Sequence, residues 1–555
     1  MSNFNMEDFS ILIGGKAGEG IDNSSSLIAS ILNKLGYYIY VYRDYPSIIR
    51  GGHTFSIIRA SVNKVNAHSN KIDFLLALNQ DALDFHKDKL TDSAITVFDS
   101  SKIKSDGIAI DCLKIIKEEK AIELMKNTII IAAFFKIIGI NFEIIENVLK
   151  EKELKELELN LLVAKRGYAE VQKMLDLKTI SSIQRPIVSG NDAVALGLIN
   201  AGLDAYLSYP MTPTSNILHF MAQLAEKFGL KVIHPESELA VILMALGFAS
   251  MGCKAAIGTS GGGFCLMTEG LSFSAIAELP IVIVMGQRPG PATGLPTYTG
   301  QSELNFVLNA GHGDFLRFVV APGDSEEAFY FSSLAMNLAW KYQIPSIILT
   351  DKLLSEGYHS FDTKCISEIK EEKVPLSDEK NNYKRYLDTK NGISPLSFPP
   401  MKDNVIKINS YEHDESGITI EDAKITKDMQ EKRFKKQKYL EDELENYPTI
   451  ATYGNNKSKT ALICFGSNKG VCIEIAKKLD LFVIQIAIFS PFPIKKLKEA
   501  VKDLEKIICV ENNFNGQMAN IIRSYGVIPH FKILKYDGRP FTTEGLEDEL
   551  KKVMK

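Results

Sequence analysis

The stretch YPMTPTS, residues 209–215, joins two segments of different character. Residues 205–208 before it are largely apolar, and the apolar residues from 217 to 224 recur at the spacing of one helix face. Pro213 suits the first position of a helix, and Thr212 before it suits the N-cap. The stretch therefore predicts a strand, a turn and a helix in succession.

The same order of strand, loop and helix repeats through residues 186–360. Further short apolar runs, each followed by a loop, occupy residues 231–234, 255–258, 281–285 and 346–349. Such alternation is typical of a parallel sheet with helices on both faces. In sheets of this kind, ligands bind where the loops leave the carboxyl ends of the strands.

The rest of the chain predicts two more α/β units. Residues 1–178 begin with a strand, a glycine-rich turn and an amphipathic helix. Residues 361–455 are rich in charge and lack aliphatic strands, which predicts a long connection with some helix on the surface. Residues 456–555 open again with a strand and a helix. The predicted fold class is α/β, in a chain of three domains.

Composition argues against some classes of function. The chain has 555 residues and a formal net charge of −4, so it lacks the basic excess of a nucleic-acid-binding protein. The N-terminus lacks the pattern of a secretory signal. The longest apolar run, residues 128–140, is shorter than the roughly 20 residues that span a bilayer. We therefore expect a cytoplasmic protein that contacts neither nucleic acid nor membrane.

The cysteines argue against a metal centre in this chain. None of the seven forms a CxxC pair, and no four have the spacing of a ferredoxin cluster. His53, His312 and His413 have no metal-ligand companions at a suitable spacing. We expect neither an iron–sulfur cluster nor any other metal site in this polypeptide.

Four of the strands in region 186–360 are followed by polar or glycine-rich residues. These junctions lie at residues 209–215, 234–238, 259–263 and 287–294. Each motif alone is open to a structural interpretation, such as a helix cap, a charge that suits the helix dipole, a tight turn or a surface arginine. Alternatively, Arg288 could bind a ligand carboxylate in bidentate fashion. Because the four junctions share one sheet edge, we favour a binding crevice there.

Several segments, taken together and in order, resemble the motifs of a known family. They are GGKAGEG (14–20), YPSIIRGGH (45–53), YPMTP (209–213), HPESE (234–238), TSGGGFCLMTEG (259–270), QRPGPATGLPT (287–297), YKRYLDTKNGISP (383–395), EHDE (412–415), and residues 510–516 and 536–541. From residue 209 onward the chain resembles the α subunit of 2-oxoacid:ferredoxin oxidoreductases. The first region resembles the γ subunit, which is fused ahead of α in some members. The likeness covers nearly the whole chain.

This resemblance implies an assignment for each part of the chain. Residues 1–178 would form a γ-subunit-like catalytic domain, and residues 186–360 the domain that binds the pyrimidine of thiamine diphosphate. Residues 361–455 would be a charged connection. Residues 456–555 would form a domain similar to the C-terminal domain of transketolase.

The resemblance also implies a reaction and a site. The reaction is the coenzyme A-dependent oxidative decarboxylation of a 2-oxoacid, with electrons passed to ferredoxin. Glu238, rather than Glu236, would hydrogen-bond the pyrimidine ring nitrogen and favour the imino tautomer of the cofactor. Positions that contact the substrate are matched by Thr212, Arg288 and Thr297. Positions that line the cofactor are matched by Pro210, Thr259, Ser260, Gly261 and Gly262.

The identity of the substrate is left open by these residues. Fused γ–α chains of this kind often resemble the 2-oxoglutarate subclass, so 2-oxoglutarate is the favoured substrate. Pyruvate, branched-chain 2-oxoacids and broad specificity are the alternatives.

A missing motif implies a partner. In this family, the Gly-Asp-Gly motif that binds diphosphate and magnesium belongs to a separate β subunit, and it does not occur in this chain. We therefore expect Mg²⁺ and the iron–sulfur cluster on a β subunit, which shares thiamine diphosphate with this chain and serves ferredoxin. Whether the γ-like region helps to bind coenzyme A or packs on the β subunit stays open.

Two other classes of protein compete with this interpretation. A non-catalytic assembly subunit could keep the fold, but this chain retains Glu238, Thr212 and Arg288 together. A thiamine enzyme of the transketolase or decarboxylase type would carry its own diphosphate-binding motif, and this chain has none. The favoured prediction is therefore a catalytic α subunit.

Overall fold

The structure is a computed structural model, and it describes residues 6–48, 51–152, 155–401 and 404–554. The chain divides into two compact units. The first unit contains the residues up to Val188, together with Glu356–Thr363 and Thr542–Asp548. The second contains Ser189–Ser355, Lys364–Phe541 and the residues from Glu549 onward. Two short segments from late in the chain thus belong to the unit formed by its beginning.

The described residues up to Ser189 form strands and helices around an apolar core. The elements are β1 (Asp8–Lys16), α1 (Ile21–Lys34), β2 (Tyr38–Asp44), β3 (His53–Ser61), β4 (Ile72–Ala77), α2 (Gln80–Asp84), β5 (Leu90–Asp99), β6 (Ile108–Ile110), α3 (Cys112–Glu118), α4 (Lys126–Ile137), α5 (Phe142–Glu151), α6 (Leu157–Ala169) and β7 (Ile187–Ser189). Every residue of α4 except Lys136 is buried. The longest apolar run of the sequence is therefore a core helix.

The middle of the chain follows the predicted alternation closely. Its elements are α7 (Gly190–Asn200), β8 (Ala205–Leu207), α8 (Ser215–Phe228), β9 (Lys231–Ile233), α9 (Glu238–Ser250), β10 (Ala255–Ser260), α10 (Gly261–Leu266), α11 (Thr268–Ile276), β11 (Ile281–Gln287), α12 (Leu304–Asn309), β12 (Phe318–Val320), α13 (Ser325–Tyr342), β13 (Pro345–Asp351), α14 (Lys352–Glu356) and β14 (Tyr358–Ser360).

The last part of the chain contains one long helix and a further α/β layer. Its elements are α15 (Ala423–Leu444), β15 (Ile450–Gly454), β16 (Thr460–Cys464), α16 (Asn468–Leu479), β17 (Phe482–Ile486), β18 (Ile488–Ser490), α17 (Ile494–Val501), β19 (Lys506–Glu511), α18 (Gln517–Ser524), β20 (Phe531–Leu534) and α19 (Thr543–Met554). Short 3₁₀ turns occur at Lys87–Lys89, Glu123–Met125 and Thr363–Ser367.

The strands form three sheets. The eight-stranded sheet of the first unit has the order β6-β5-β4-β1-β3-β2-β14-β7 and mixes parallel with antiparallel pairs. In the second unit, a seven-stranded sheet has the order β18-β12-β13-β11-β10-β8-β9 and is parallel except for β18. A five-stranded sheet of the same unit has the order β15-β17-β16-β19-β20. The predicted α/β class is confirmed, with three sheets in the described chain.

The charged connection is held to the second unit by buried charges. Lys432 and Lys436, one turn apart on α15, both form salt bridges with Glu278, and all three side chains are buried. The Lys432 contact is 2.6 Å long. Arg385 adds a hydrogen bond of 2.7 Å to the Glu278 backbone carbonyl. These cations hold the pKa of Glu278 well below its usual range against the effect of burial. The expectation that this segment only lies on the surface is therefore wrong for α15, because its lysines neutralise an acid beneath it.

Candidate active site

The predicted site residues lie at one edge of the seven-stranded sheet. The neighbouring strands β9, β8, β10 and β11 are parallel, so their carboxyl ends lie along the same edge. Each of the four predicted motifs directly follows one of these strands. Their side chains can therefore face a common ligand, as in other open α/β sheets.

Glu238 is the first residue of α9, and its side chain is directed into the protein. The N-cap residue Ser237 accepts a hydrogen bond from the Ala240 N–H, so the helix does not need Glu238 as a cap. Glu238 is only 5% exposed, and its Oε1 has no hydrogen-bond partner among the described residues. A buried carboxyl oxygen without a partner costs free energy. The arrangement therefore suits a ligand that brings a hydrogen-bond donor.

Gly263 makes room for this carboxyl group. A Cβ atom at position 263 would lie 2.7 Å from Glu238 Oε1 and 2.2 Å from Thr259 Oγ1. Both distances are shorter than a van der Waals contact, so only glycine fits. The predicted cofactor residues Gly261 and Gly262 lie in the same helical turn, and position 262 faces open space. The glycine run is visible in the sequence, but nothing in the sequence distinguishes Gly263 from its two neighbours.

The loop after β8 differs in detail from the prediction. Helix α8 begins at Ser215 with Thr214 as its N-cap residue, so the prediction that Thr212 is the N-cap is wrong. The reason is tertiary, because the Thr214 hydroxyl contacts the carbonyl groups of Met211 and Thr259, and residues 211–214 form a turn before the helix. Thr212 lies in this turn, half-buried, and precedes a cis peptide bond to Pro213.

Arg288 joins this loop to the end of β11. Its Nη1 donates a hydrogen bond of 2.9 Å to the Thr212 carbonyl. In the part of the chain that the structure describes, Arg288 forms no salt bridge. As a surface arginine it would be expected to pair with a nearby acid. Burial lowers the pKa of Arg288, and the nearby Glu303 raises it. A half-buried arginine without a paired acid suits an anionic ligand.

The remaining predicted residues are placed unequally. Thr259 and Ser260 are buried at the end of β10, next to Glu238 and the glycine turn. Pro210 is half-buried in the loop after β8. Thr297 is buried further along the Arg288 loop, but no hydrogen bond within the described ranges links it to the other predicted residues.

Several unpartnered polar atoms lie at this edge. The buried side-chain oxygens without a hydrogen-bond partner in the described chain include Glu238 Oε1, Ser260 Oγ, Thr297 Oγ1 and Glu303 Oε2. Buried polar groups are normally hydrogen-bonded, so these atoms suit a polar ligand at this edge. Glu303 was not singled out by any sequence motif.

Comparisons with known proteins identify the family. A family model for pyruvate flavodoxin/ferredoxin oxidoreductase, thiamine diphosphate-binding, matches residues 196–432, and one for pyruvate ferredoxin/flavodoxin oxidoreductase matches residues 10–170. The 2-oxoacid:ferredoxin oxidoreductase subunit alpha of Saccharolobus solfataricus is 32% identical, covering 98% of this chain and 97% of its own. The chain belongs to the 2-oxoacid:ferredoxin oxidoreductase family, as an alpha subunit.

Two further members of this oxidoreductase family are similar. The 2-oxoglutarate:ferredoxin oxidoreductase from Magnetococcus marinus, solved with 2-oxoglutarate, coenzyme A and succinyl-CoA bound, has a TM-score of 0.90 and 28% identity, covering 99% of this chain and 100% of that one. The 2-oxoglutarate synthase subunit KorA of Archaeoglobus fulgidus is 34% identical over 38% of this chain and 62% of its own. The predicted family and the prediction of an oxidoreductase subunit are confirmed.

The thiamine diphosphate-binding region of this alpha subunit contains the whole sheet edge described above. Among the described residues, no group of three or more His, Cys, Asp and Glu side chains is placed to hold a metal ion. No helix of the described chain is both long and apolar enough to cross a membrane.

Proposed function

We propose that this alpha subunit binds the pyrimidine half of thiamine diphosphate at Glu238 and takes part in the coenzyme A-dependent oxidative decarboxylation of a 2-oxoacid, with ferredoxin as electron acceptor. The buried, unpartnered Oε1 of Glu238, beside the glycine turn, carries the proposal. Thiamine diphosphate, when bound, supplies the carbon-centred nucleophile that such a reaction needs. Glu238 would hold a proton at the pyrimidine ring nitrogen. Around the cofactor we place Pro210, Thr259, Ser260, Gly261 and Gly262.

The substrate end of the site is assigned to Arg288, with Thr212 and Thr297. The guanidinium group of Arg288 is fixed by the Thr212 carbonyl and has no salt-bridge partner in the described ranges, so it can bind the carboxylate of a 2-oxoacid. We favour 2-oxoglutarate, because the names of the Magnetococcus marinus and Archaeoglobus fulgidus relatives specify it. Pyruvate and branched-chain 2-oxoacids are the alternatives to be compared.

A β subunit would complete the cofactor site. After Glu238, helix α9 has no polar side chain until Ser250, yet Leu239, Leu243 and Met244 are 48%, 54% and 40% exposed. An exposed apolar face of this kind marks an interface. Because the face continues directly from Glu238, we propose that it binds the subunit that holds the diphosphate group, Mg²⁺ and the iron–sulfur cluster, and that delivers electrons to ferredoxin.

Coenzyme A is assigned to a cleft of about 530 Å³ in the first unit. Leu27 and Leu124 give the cleft an apolar side, and Asn127 has a buried Oδ1 without a partner in the described chain. Lys152 contributes a charge at the rim, where its Nζ is 2.8 Å from Ser26 Oγ and burial lowers its pKa. An apolar cleft with a lysine at its rim suits a long ligand that carries phosphate groups near one end.

The cleft is tested by Lys152→Ala in the complete enzyme. We expect a higher KM for coenzyme A and an unchanged KM for the 2-oxoacid, because only coenzyme A would contact the lysine. Lys150→Ala is the control, since Lys150 lies on α5 and pairs with Glu146 on the surface. An unchanged KM for coenzyme A in Lys152→Ala would remove this cleft from the proposal.

The function as a whole is tested by co-expression with a β subunit of the same enzyme family. Purified complex should reduce a viologen dye when given a 2-oxoacid, coenzyme A and thiamine diphosphate, and 2-oxoglutarate, pyruvate and branched-chain acids are compared side by side. A complex that assembles and contains its cluster but oxidises no 2-oxoacid would instead support the non-catalytic assembly subunit.

A further inference from the structure

Glu303 lies between the glycine turn and the loop that carries Arg288. Its backbone N–H, at the start of α12, donates to Gln287 Oε1 at 3.2 Å, which ties this residue to the end of β11. A Cβ atom on Gly261 would lie 3.2 Å from Glu303 Oε1, and one on Gly290 would lie 3.8 Å from it. The carboxyl group is therefore at the same edge of the sheet as the proposed substrate site.

The surroundings of this carboxyl group disfavour its charged form. Glu303 Oε1 accepts a weak hydrogen bond of 3.3 Å from Ser302, and Oε2 is buried without a partner in the described chain. Burial raises the pKa of Glu303 to about 7, and the charge of Arg288 lowers it only in part. The charged group that acts on it is Arg288, from the loop after β11. Helix α12 itself carries no charged side chain.

We propose that Glu303 is a positioning residue that acts through Arg288, and that the 2-oxoacid binds to the form of the enzyme in which Glu303 carries a proton. A protonated Glu303 leaves the guanidinium group of Arg288 to the substrate carboxylate. An ionised Glu303 competes for that guanidinium group and repels the incoming carboxylate. Substrate binding is thereby coupled to one proton on the protein. This proposal rests on the substrate role of Arg288 proposed above.

The test is the pH dependence of the KM for the 2-oxoacid, measured on the complete enzyme between about pH 6 and pH 9. The substrate carboxyl group is ionised throughout this range, so its own titration does not contribute. In the wild type, KM should rise with pH, approaching about tenfold per pH unit once Glu303 ionises. In Glu303→Gln this rise should disappear, and KM should stay near the low-pH value of the wild type. Glu269→Gln, an exposed acid on α11, should keep the wild-type profile.

A second measurement does not depend on the variant. Calorimetric titration of the wild-type complex with substrate at about pH 8, in two buffers of different ionisation enthalpy, should show net proton uptake on binding. No proton uptake, a flat KM in the wild type, or a wild-type KM profile in Glu303→Gln would each overturn the proposal. Wild-type complex that oxidises no 2-oxoacid at any pH would overturn the proposed function instead, so the two failures are distinguishable.

Discussion

Replacing Gly263 with alanine is expected to displace the Glu238 side chain. The added Cβ would lie 2.2 Å from Thr259 Oγ1, 2.7 Å from Glu238 Oε1 and 2.8 Å from Glu238 Cγ. Thr259 is completely buried, whereas Glu238 is 5% exposed and faces the proposed ligand, so Glu238 is the side chain that can give way. The carboxyl group that we place on the cofactor must therefore shift.

The magnitude follows from two opposing effects. Alanine is favoured over glycine within a helix by roughly 0.5–1 kcal/mol. Crowding a packed site costs about 1–3 kcal/mol. Gly263→Ala should therefore destabilise the chain by up to about 2.5 kcal/mol in spite of its better helix propensity. If Glu238 moves by about 1 Å, kcat/KM of the complete enzyme should fall on the order of 10²-fold.

Gly262→Ala provides the matched control for stability. It lies in the same turn of α10, and its added Cβ would meet no atom within 4 Å. Unfolding in urea, followed on the isolated chain, should give a lower midpoint for Gly263→Ala and an unchanged or slightly higher one for Gly262→Ala. Equal midpoints would refute the steric argument. A wild-type kcat/KM in Gly263→Ala would show that the crowding does not reach Glu238.

Three further substitutions test the remaining arguments. Glu238→Gln should leave cofactor binding intact but slow the exchange of the cofactor's thiazolium C2 proton, with turnover reduced by roughly 10²–10⁴-fold. Glu236→Gln is the control, and the exchange is followed by NMR after acid quench. If Glu236→Gln stops the exchange and Glu238→Gln does not, Glu236 is the carboxylate that acts on the cofactor. Arg288→Ala should lower kcat/KM for 2-oxoacids on the order of 10²-fold, as expected for the loss of a charged hydrogen bond, and unchanged kinetics would remove it from the site. Glu278→Gln leaves the two lysines of α15 buried without a counter-charge and should cost roughly 3–5 kcal/mol in urea unfolding. Glu499→Gln, in an exposed pair, should leave the midpoint unchanged, and an equally small effect of Glu278→Gln would contradict the buried role.

Much of the fold could be predicted from local sequence. The alternation of apolar runs and helical spacing in residues 186–360 correctly indicated the parallel strands. The hydrophobic repeat of a strand or a helix involves only residues that are close in sequence, so it can be recognised without the fold. The same local argument failed at Thr212. A Thr-Pro pair favours a helix start, but the hydroxyl group of Thr214 bonds to Thr259, which is 45 residues away, and the helix begins later.

The candidate site shows the same division. The motif residues could be predicted because each follows a strand, and parallel strands bring their carboxyl ends to one edge. Gly263 and Glu303 could not be selected from the sequence, because their proposed roles depend on residues that are distant in the sequence and close only in the fold. A single glycine among three, or an acid before a short helix, has no local signal that distinguishes it.

Local sequence was therefore enough to predict the α/β alternation of residues 186–360, the family and the motifs at the sheet edge. The tertiary structure decided which groups are buried and which charges meet. The lysines of α15 appear in the sequence as part of a solvated charged run, yet they contact Glu278 across 154 and 158 residues. Glu303 appears as an ordinary surface acid, yet burial raises its pKa to about 7. The physical reason is that helical and strand periods are set by adjacent residues, whereas desolvation and charge pairing depend on atoms that only folding brings together.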